Sequence, residues 1–121
     1  MTLFESLLMA HILGDWILQT EWQALNKEKN WRAMTAHVFV YSVVVFAVLG
    51  WRLGWGNAGV YAVVVALAII HVVLDRRRPL LWFMKVARIT VTREPEAWFM
   101  TAVDQAVHLL FLGAATLYLS S

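Results

Sequence analysis

Four long apolar segments divide this chain and leave it few folds to adopt. They run from about Leu3 to Trp22, Ala33 to Leu49, Ala58 to Asp75 and Ala97 to Leu119. Each is roughly 17–23 residues long, the length a helix needs to cross the hydrocarbon of a bilayer. The run Val43-Val44-Val45 has the β-branched character of a strand. An isolated strand cannot pair its backbone in lipid, so helix is the expected state there too. A soluble domain of 121 residues would not need 61% hydrophobic residues, nor arrange them in such runs. The expected fold is all-α: a single-domain, integral-membrane four-helix bundle spanning residues 1–121.

The polar punctuation agrees with that plan. Trp22, Trp31, Trp51, Trp55, Trp82 and Trp98 fall near segment ends, where interfacial anchors belong; Trp16 alone lies within a segment. Gly50 to Asn57 reads as a turn. After Arg76-Arg77-Arg78-Pro79, the stretch Leu80–Thr92 mixes apolar residues with Lys85 and Arg88, as a short amphipathic surface helix would. Pro95, with Glu94 and Glu96, suits the start of the last helix.

Nine of the ten cations lie between segments one and two or between segments three and four, and Arg52 is the exception. The positive-inside rule then places those two loops in the cytoplasm and both termini outside a bacterial inner membrane. Glu5 stands where a cleavable signal would carry basic residues, so the first segment is expected to be retained. Membrane lipids are the expected partners. A homo-oligomer is left open, and no nucleic acid is expected. The arginine run is expected to set topology and meet lipid headgroups, with phosphate binding as the alternative.

Ionisable residues inside apolar segments are costly and mark function. Here they form a pattern: His11 with Asp15, His71 with Asp75, and Asp104 with His108, each four residues apart, plus His37 in the second segment. Positions four apart share one helical face, about 6 Å along the axis. With the helices alternating in direction, all seven residues come to a similar depth near the cytoplasmic side. The chain has no cysteine, so a metal held here takes nitrogen and oxygen ligands. Zinc fits best; manganese, iron or nickel also suit such donors. One or two ions would support hydrolysis, with Asp15 or Asp104 as general base. Gln19 and Gln105 are candidate substrate contacts.

The same pattern admits other readings. The pairs can act as hydrogen-bonded bridges between helices. Gln19 and Gln105 can be inter-helix links, and Asp75 can pair with Arg76, Arg77 or Arg78. A metal-ion or proton transporter would use the same residues as a transit site. It would need a polar path outward, where only Glu5, Tyr41, Ser42, Tyr61, Thr116 and Tyr118 are available. A non-catalytic membrane effector would use the cluster only for structure. Gly14 is expected to let two helices pack closely.

His11-Ile12-Leu13-Gly14-Asp15, continuing to Gln19, resembles the opening signature of small bacterial and phage membrane proteins catalogued as domain of unknown function 3307. The motifs His71 to Asp75 and Asp104 to His108 resemble that family's second and third motifs. The resemblance covers nearly the whole chain and implies a multi-pass helical protein without settled biochemistry. A looser likeness to membrane-bound metal-dependent hydrolases of bacterial inner membranes implies metal-dependent hydrolysis at His11, Asp15, His37, His71, Asp75, Asp104 and His108. The resulting expectation is a hydrolase acting on a lipid, lipid-linked phosphate or other amphiphile.

Overall fold

A computed structural model describes residues 1–89 and 95–121 of the chain. Regular structure among the described residues is entirely helical. The elements are α1 (Leu3–Ile12), α2 (Glu21–Asn26), α3 (Trp31–Leu53), α4 (Ala58–Asp75), α5 (Arg78–Val86) and α6 (Ala97–Ser120). Three of them, α3, α4 and α6, are long and apolar enough to cross a membrane, with mean hydropathies of 2.0, 2.3 and 1.4.

The first apolar segment departs from expectation. Helix α1 passes into a π-helical turn, Leu13–Ile17, and the helix ends at Leu18. Fifteen residues of continuous helix span about 22 Å, less than a bilayer's hydrocarbon. The physical cause lies in Thr20. Its hydroxyl accepts from the Gln23 backbone N–H while the Gln23 side chain accepts from the Thr20 N–H. This capping box starts a separate helix and outweighs the apolar pattern that seemed to run on to Trp22. The opposite error occurs at Gly50, which lies inside α3; the turn begins at Gly54, whose φ of 97° suits glycine. Helix α5 ends at Val86, short of the expected Thr92. Residues 90–92, Arg93 and Glu94 lie outside the described residues.

The packing is inside-out by the standard of a soluble protein. Large apolar side chains face outward, among them Phe39, Trp51, Ile69, Leu110 and Leu117. Ser6, Gln23 and all four histidines face inward, as do Asp15, Asp75 and Asp104. Two apolar clusters bracket the polar layer. One joins Leu7, Tyr41, Val45, Leu49, Val60, Val63, Leu67 and Leu112 from α1, α3, α4 and α6. The other joins Leu74, Leu80, Met84 and Met100 from α4, α5 and α6. Along α4 the order is Leu67, His71, Leu74; along α6 it is Met100, Asp104, His108, Leu112. The polar layer therefore lies between two dry clusters.

Gly14 explains how α1 approaches α3. A Cβ built there would stand 2.9 Å from Tyr41 Cδ2 and 3.1 Å from Tyr41 Cα. Backbone contact this close admits only glycine, as the sequence led us to expect.

Candidate metal centre

Four separate helical elements bring the ligand candidates to the centre. The π-helical turn after α1 supplies Asp15, α3 supplies His37, α4 supplies His71 and Asp75, and α6 supplies Asp104 and His108. An extra residue per turn re-aims the side chains that follow it, and such π turns recur at functional sites. Four atoms converge most tightly: His37 Nε2, His71 Nε2, Asp15 Oδ1 and Asp75 Oδ2. The two nitrogens are 2.8 Å apart. His37 Nε2 lies 3.0 Å from Asp15 Oδ1 and 3.2 Å from Asp75 Oδ2. His71 Nε2 lies 3.3 Å and 3.0 Å from the same two oxygens.

One hydrogen bond, between His37 Nε2 and His71 Nε2, accounts for only part of this geometry. Each nitrogen faces three neighbours at about 3 Å, and an imidazole nitrogen carries at most one proton. Asp15 Oδ1 and Asp75 Oδ1 are buried and make no hydrogen bond of acceptable geometry among the described residues, while Asp75 Oδ2, beyond the two imidazoles, meets only the Lys27 ammonium, at 2.9 Å. Buried polar atoms without partners are rare and call for an explanation. A cation between the four atoms supplies one. Ligands at about 2.0–2.1 Å in tetrahedral array stand about 3.3–3.4 Å from each other, close to the spacings here.

Asp75 also belongs to a second group, with Asp104 and His108. His108 Nε2 lies 3.9 Å from Asp75 Oδ1 and has no hydrogen-bond partner. His108 Nδ1 donates to the Asp104 backbone carbonyl at 2.7 Å, so in the neutral imidazole Nε2 carries the lone pair that a cation would take. The two oxygens of Asp75 thus face two ligand groups, as a bridging carboxylate does.

His11 stands apart from both groups. Its Nε2 is 3.6 Å from Asp15 Oδ2, yet both ring nitrogens are engaged elsewhere. The Tyr41 hydroxyl meets Nδ1 at 3.2 Å, and Nε2 meets Gln105 Oε1 at 2.9 Å. A consistent assignment has Tyr41 donating to Nδ1 and Nε2–H donating to Gln105. Trp16 Nε1 donates to the same Gln105 oxygen at 3.2 Å. The Gln105 amide then donates to Asp15 Oδ2 at 3.1 Å and Asp104 Oδ2 at 3.4 Å. Gln105, expected as a substrate contact, is occupied in orienting two carboxylates. Gln19 lines the adjacent cleft, with its Oε1 buried and unpartnered.

Three participants escaped the sequence reading. Tyr41, which we assigned to the outer half, touches His11, and its ring lies 4.2 Å from that of His71. Its place four residues after His37 on α3 was the available signal. Trp16, the one tryptophan away from a segment end, is part of the network. Lys27, read as a topology determinant, reaches the centre: Nζ lies 2.9 Å from Asp75 Oδ2 and 3.7 Å from Asp15 Oδ1. Nothing in its spacing marked it.

The charges point the same way. Three buried carboxylates exceed the nearby cations, the Lys27 ammonium and the Arg77 guanidinium, when the imidazoles are neutral. Buried charge at this density needs compensation, and one divalent cation provides it. The Nδ1 atoms of His37 and His71 have no hydrogen-bond partner, so packing orients these rings. A cleft of about 190 Å³ opens beside the cluster, lined by Asp15, Trp16, Gln19, Lys27, Asp104 and Gln105, with Arg77 and Thr101 at the cationic end.

Comparison with known proteins decides the kinship. A family model described as protein of unknown function (DUF3307) matches residues 3–121. The chain belongs to that family. The match takes in every helix that feeds the cluster, and it agrees with the resemblance carried by the His11–Asp15, His71–Asp75 and Asp104–His108 motifs. No curated protein and no solved structure matches this DUF3307 member.

Proposed function

We propose that this protein is a metal-dependent hydrolase of the bacterial inner membrane, acting on a lipid, lipid-linked phosphate or other amphiphile at the cytoplasmic leaflet. The observation that carries the reading is the convergence of His37 Nε2, His71 Nε2, Asp15 Oδ1 and Asp75 Oδ2 within 4.8 Å of one another. Zinc is the ion these donors suit best, with manganese or iron next, and Asp75 has a free face for a second ion with Asp104 and His108. On this reading α3, α4 and α6 cross the bilayer, and α1 with its π turn forms a shorter fourth wall of the bundle. Both termini face outward and the cationic loops face the cytoplasm.

A divalent ion held by these four residues would supply Lewis acidity, and would acidify a water only by admitting it beyond the four protein donors, an expansion that zinc allows. With a single ion bound and Asp104 not a ligand, Asp104 is the base we assign: it lines the cleft, and its Oδ1 has no hydrogen-bond partner among the described residues. It takes one proton of the attacking water and returns it to the leaving oxygen, so that water is added across one ester bond. Gln105 and His11 hold Asp15 and Asp104 in place. Lys27 offsets the carboxylates' charge.

The apolar cluster of Leu7, Val45, Leu49, Val60, Leu67 and Leu112 fills the end of the bundle away from the cationic loops. That dry plug favours a site open on one side, as an enzyme needs, over a transit path. Elemental analysis of the detergent-purified protein tests the reading. At least one equivalent of zinc, manganese or iron is expected, and chelation should abolish phospholipid ester hydrolysis in mixed micelles, with recovery on metal return. Protein that folds and carries no stoichiometric metal overturns it.

A further inference from the structure

The three consecutive arginines, alike in sequence, have separate fates. The Arg76 guanidinium lies over the Trp31 ring, 4.4 Å from its centroid. Arg78 is exposed and opens α5. Arg77 alone lines the cleft beside the metal ligands, together with Lys27, Gln19 and Asp104.

Its backbone explains how it gets there. Arg77 has φ 67° and ψ −37°, and the Arg78 N–H donates across it to the Arg76 carbonyl at 2.8 Å. This is a γ-turn with positive φ at its centre, a rare and strained conformation for any residue but glycine. Backbone strain of this kind gathers at ligand-binding sites, where surrounding structure holds it. A glycine would relieve it, yet the position carries the longest cationic side chain available. Two cations then line the cleft: Arg77, and Lys27 with 13% of its side chain exposed. Gln19 also lines the cleft, and its amide NH2 is the group that can donate to an anion.

We infer that Arg77, with Lys27 and Gln19, forms a subsite for the phosphoryl oxyanion of the substrate. A guanidinium offers paired N–H donors that match two phosphate oxygens, and an ammonium serves as a point charge. The N-terminus of α5 starts at the same place without a side-chain cap and adds partial positive charge. Asp15 and Asp104 also line the cleft and repel an anion, so binding requires the divalent ion that neutralises them. The inference rests on the metal-site reading and narrows its substrates to phosphoesters.

The test measures binding of inorganic phosphate and of a short-chain phosphatidic acid to the metal-loaded, detergent-purified full chain. It compares wild type with Arg77→Gly, Arg77→Gln and Arg78→Gln, and metal content is read in parallel. Arg77→Gly removes the guanidinium while relaxing the backbone, so its Tm should hold or rise. Affinity for both ligands should fall about tenfold or more, as loss of a charge-assisted hydrogen bond requires, with metal content unchanged. Arg78→Gln should bind as wild type does. Tighter binding of phosphatidic acid than of phosphate identifies a lipid headgroup as the source; equal binding identifies a small soluble phosphate. Equal losses in the Arg77 and Arg78 variants mean diffuse attraction and overturn the subsite. Unchanged affinity in Arg77→Gly with metal retained also overturns it and leaves the metal site standing. Wild-type protein that holds no metal removes both readings.

Discussion

Replacing Gln105 by leucine tests the network around the centre without touching a proposed ligand. Gln105 accepts from His11 and Trp16 and donates to Asp15 and Asp104. Leucine keeps the bulk and deletes all four contacts. The bond to Asp15 Oδ2, at 3.1 Å, has a charged acceptor and is worth about 1.5–3 kcal/mol. Without it the Asp15 carboxylate can rotate, so Oδ1 no longer points where the other three atoms converge. Partners that orient metal ligands typically account for about 10–100-fold in metal affinity, or about 1.4–2.7 kcal/mol. The two ranges overlap, so zinc affinity should fall by one to two orders of magnitude. Competition against a chromophoric chelator in detergent measures it, with circular dichroism reporting that the helices persist. Gln19→Leu, which contacts no ligand, should leave zinc affinity unchanged. If Gln105→Leu binds zinc within about threefold of wild type, Gln105 does not position Asp15 and the network argument is wrong.

Three further outcomes follow from the same coordinates. Lys27→Met should tighten zinc binding by about tenfold, because the ammonium competes for Asp75 Oδ2 and Asp15 Oδ1, and it should lower the Tm of the metal-free protein; weaker zinc binding in this variant would show that Lys27 assists the ion. Gly14→Ala drives a methyl against the Tyr41 Cα and ring and should cost about 1–3 kcal/mol, read as a lower denaturation midpoint in detergent; an unchanged midpoint would contradict the close α1–α3 contact. The natural chain has no cysteine, so single cysteines give clean topology probes. Cysteine at Lys29 should react with a membrane-impermeant maleimide only from the cytoplasmic side, and cysteine at Asn57 only from the outside; the reverse pattern would invert the proposed orientation.

Much of the candidate site could be read from residue spacing because its chemistry is repetitive. An imidazole and a carboxylate four residues apart share a helical face whatever the tertiary contacts. Burying such a pair in an apolar segment has few physical justifications. The lengths of α4 and α6 were equally visible, since no proline and no turn-forming run interrupts them. The break at Leu18–Thr20 was obscured because hydropathy outweighed a local signal: Thr20-Glu21-Trp22-Gln23 has capping-box chemistry. Lys27 was missed for a different reason. Its charge fitted the topology argument completely, and only the fold of α2 back over the bundle brings its ammonium to Asp75. Arg77 differs from Arg76 and Arg78 solely by a backbone conformation that three identical residues cannot announce. Tyr41 stands four residues after His37 on the same face of α3, so its depth was legible, but its partner His11 depends on tertiary approach.

X-ray absorption at the zinc edge of the metal-loaded protein examines the core of this account most directly. The expected spectrum has four nitrogen and oxygen neighbours at about 2.0–2.1 Å, with the outer-shell scattering of two imidazoles. A shell of six oxygen neighbours without imidazole scattering would mean that His37 and His71 do not hold the ion, and the proposed centre would be refuted.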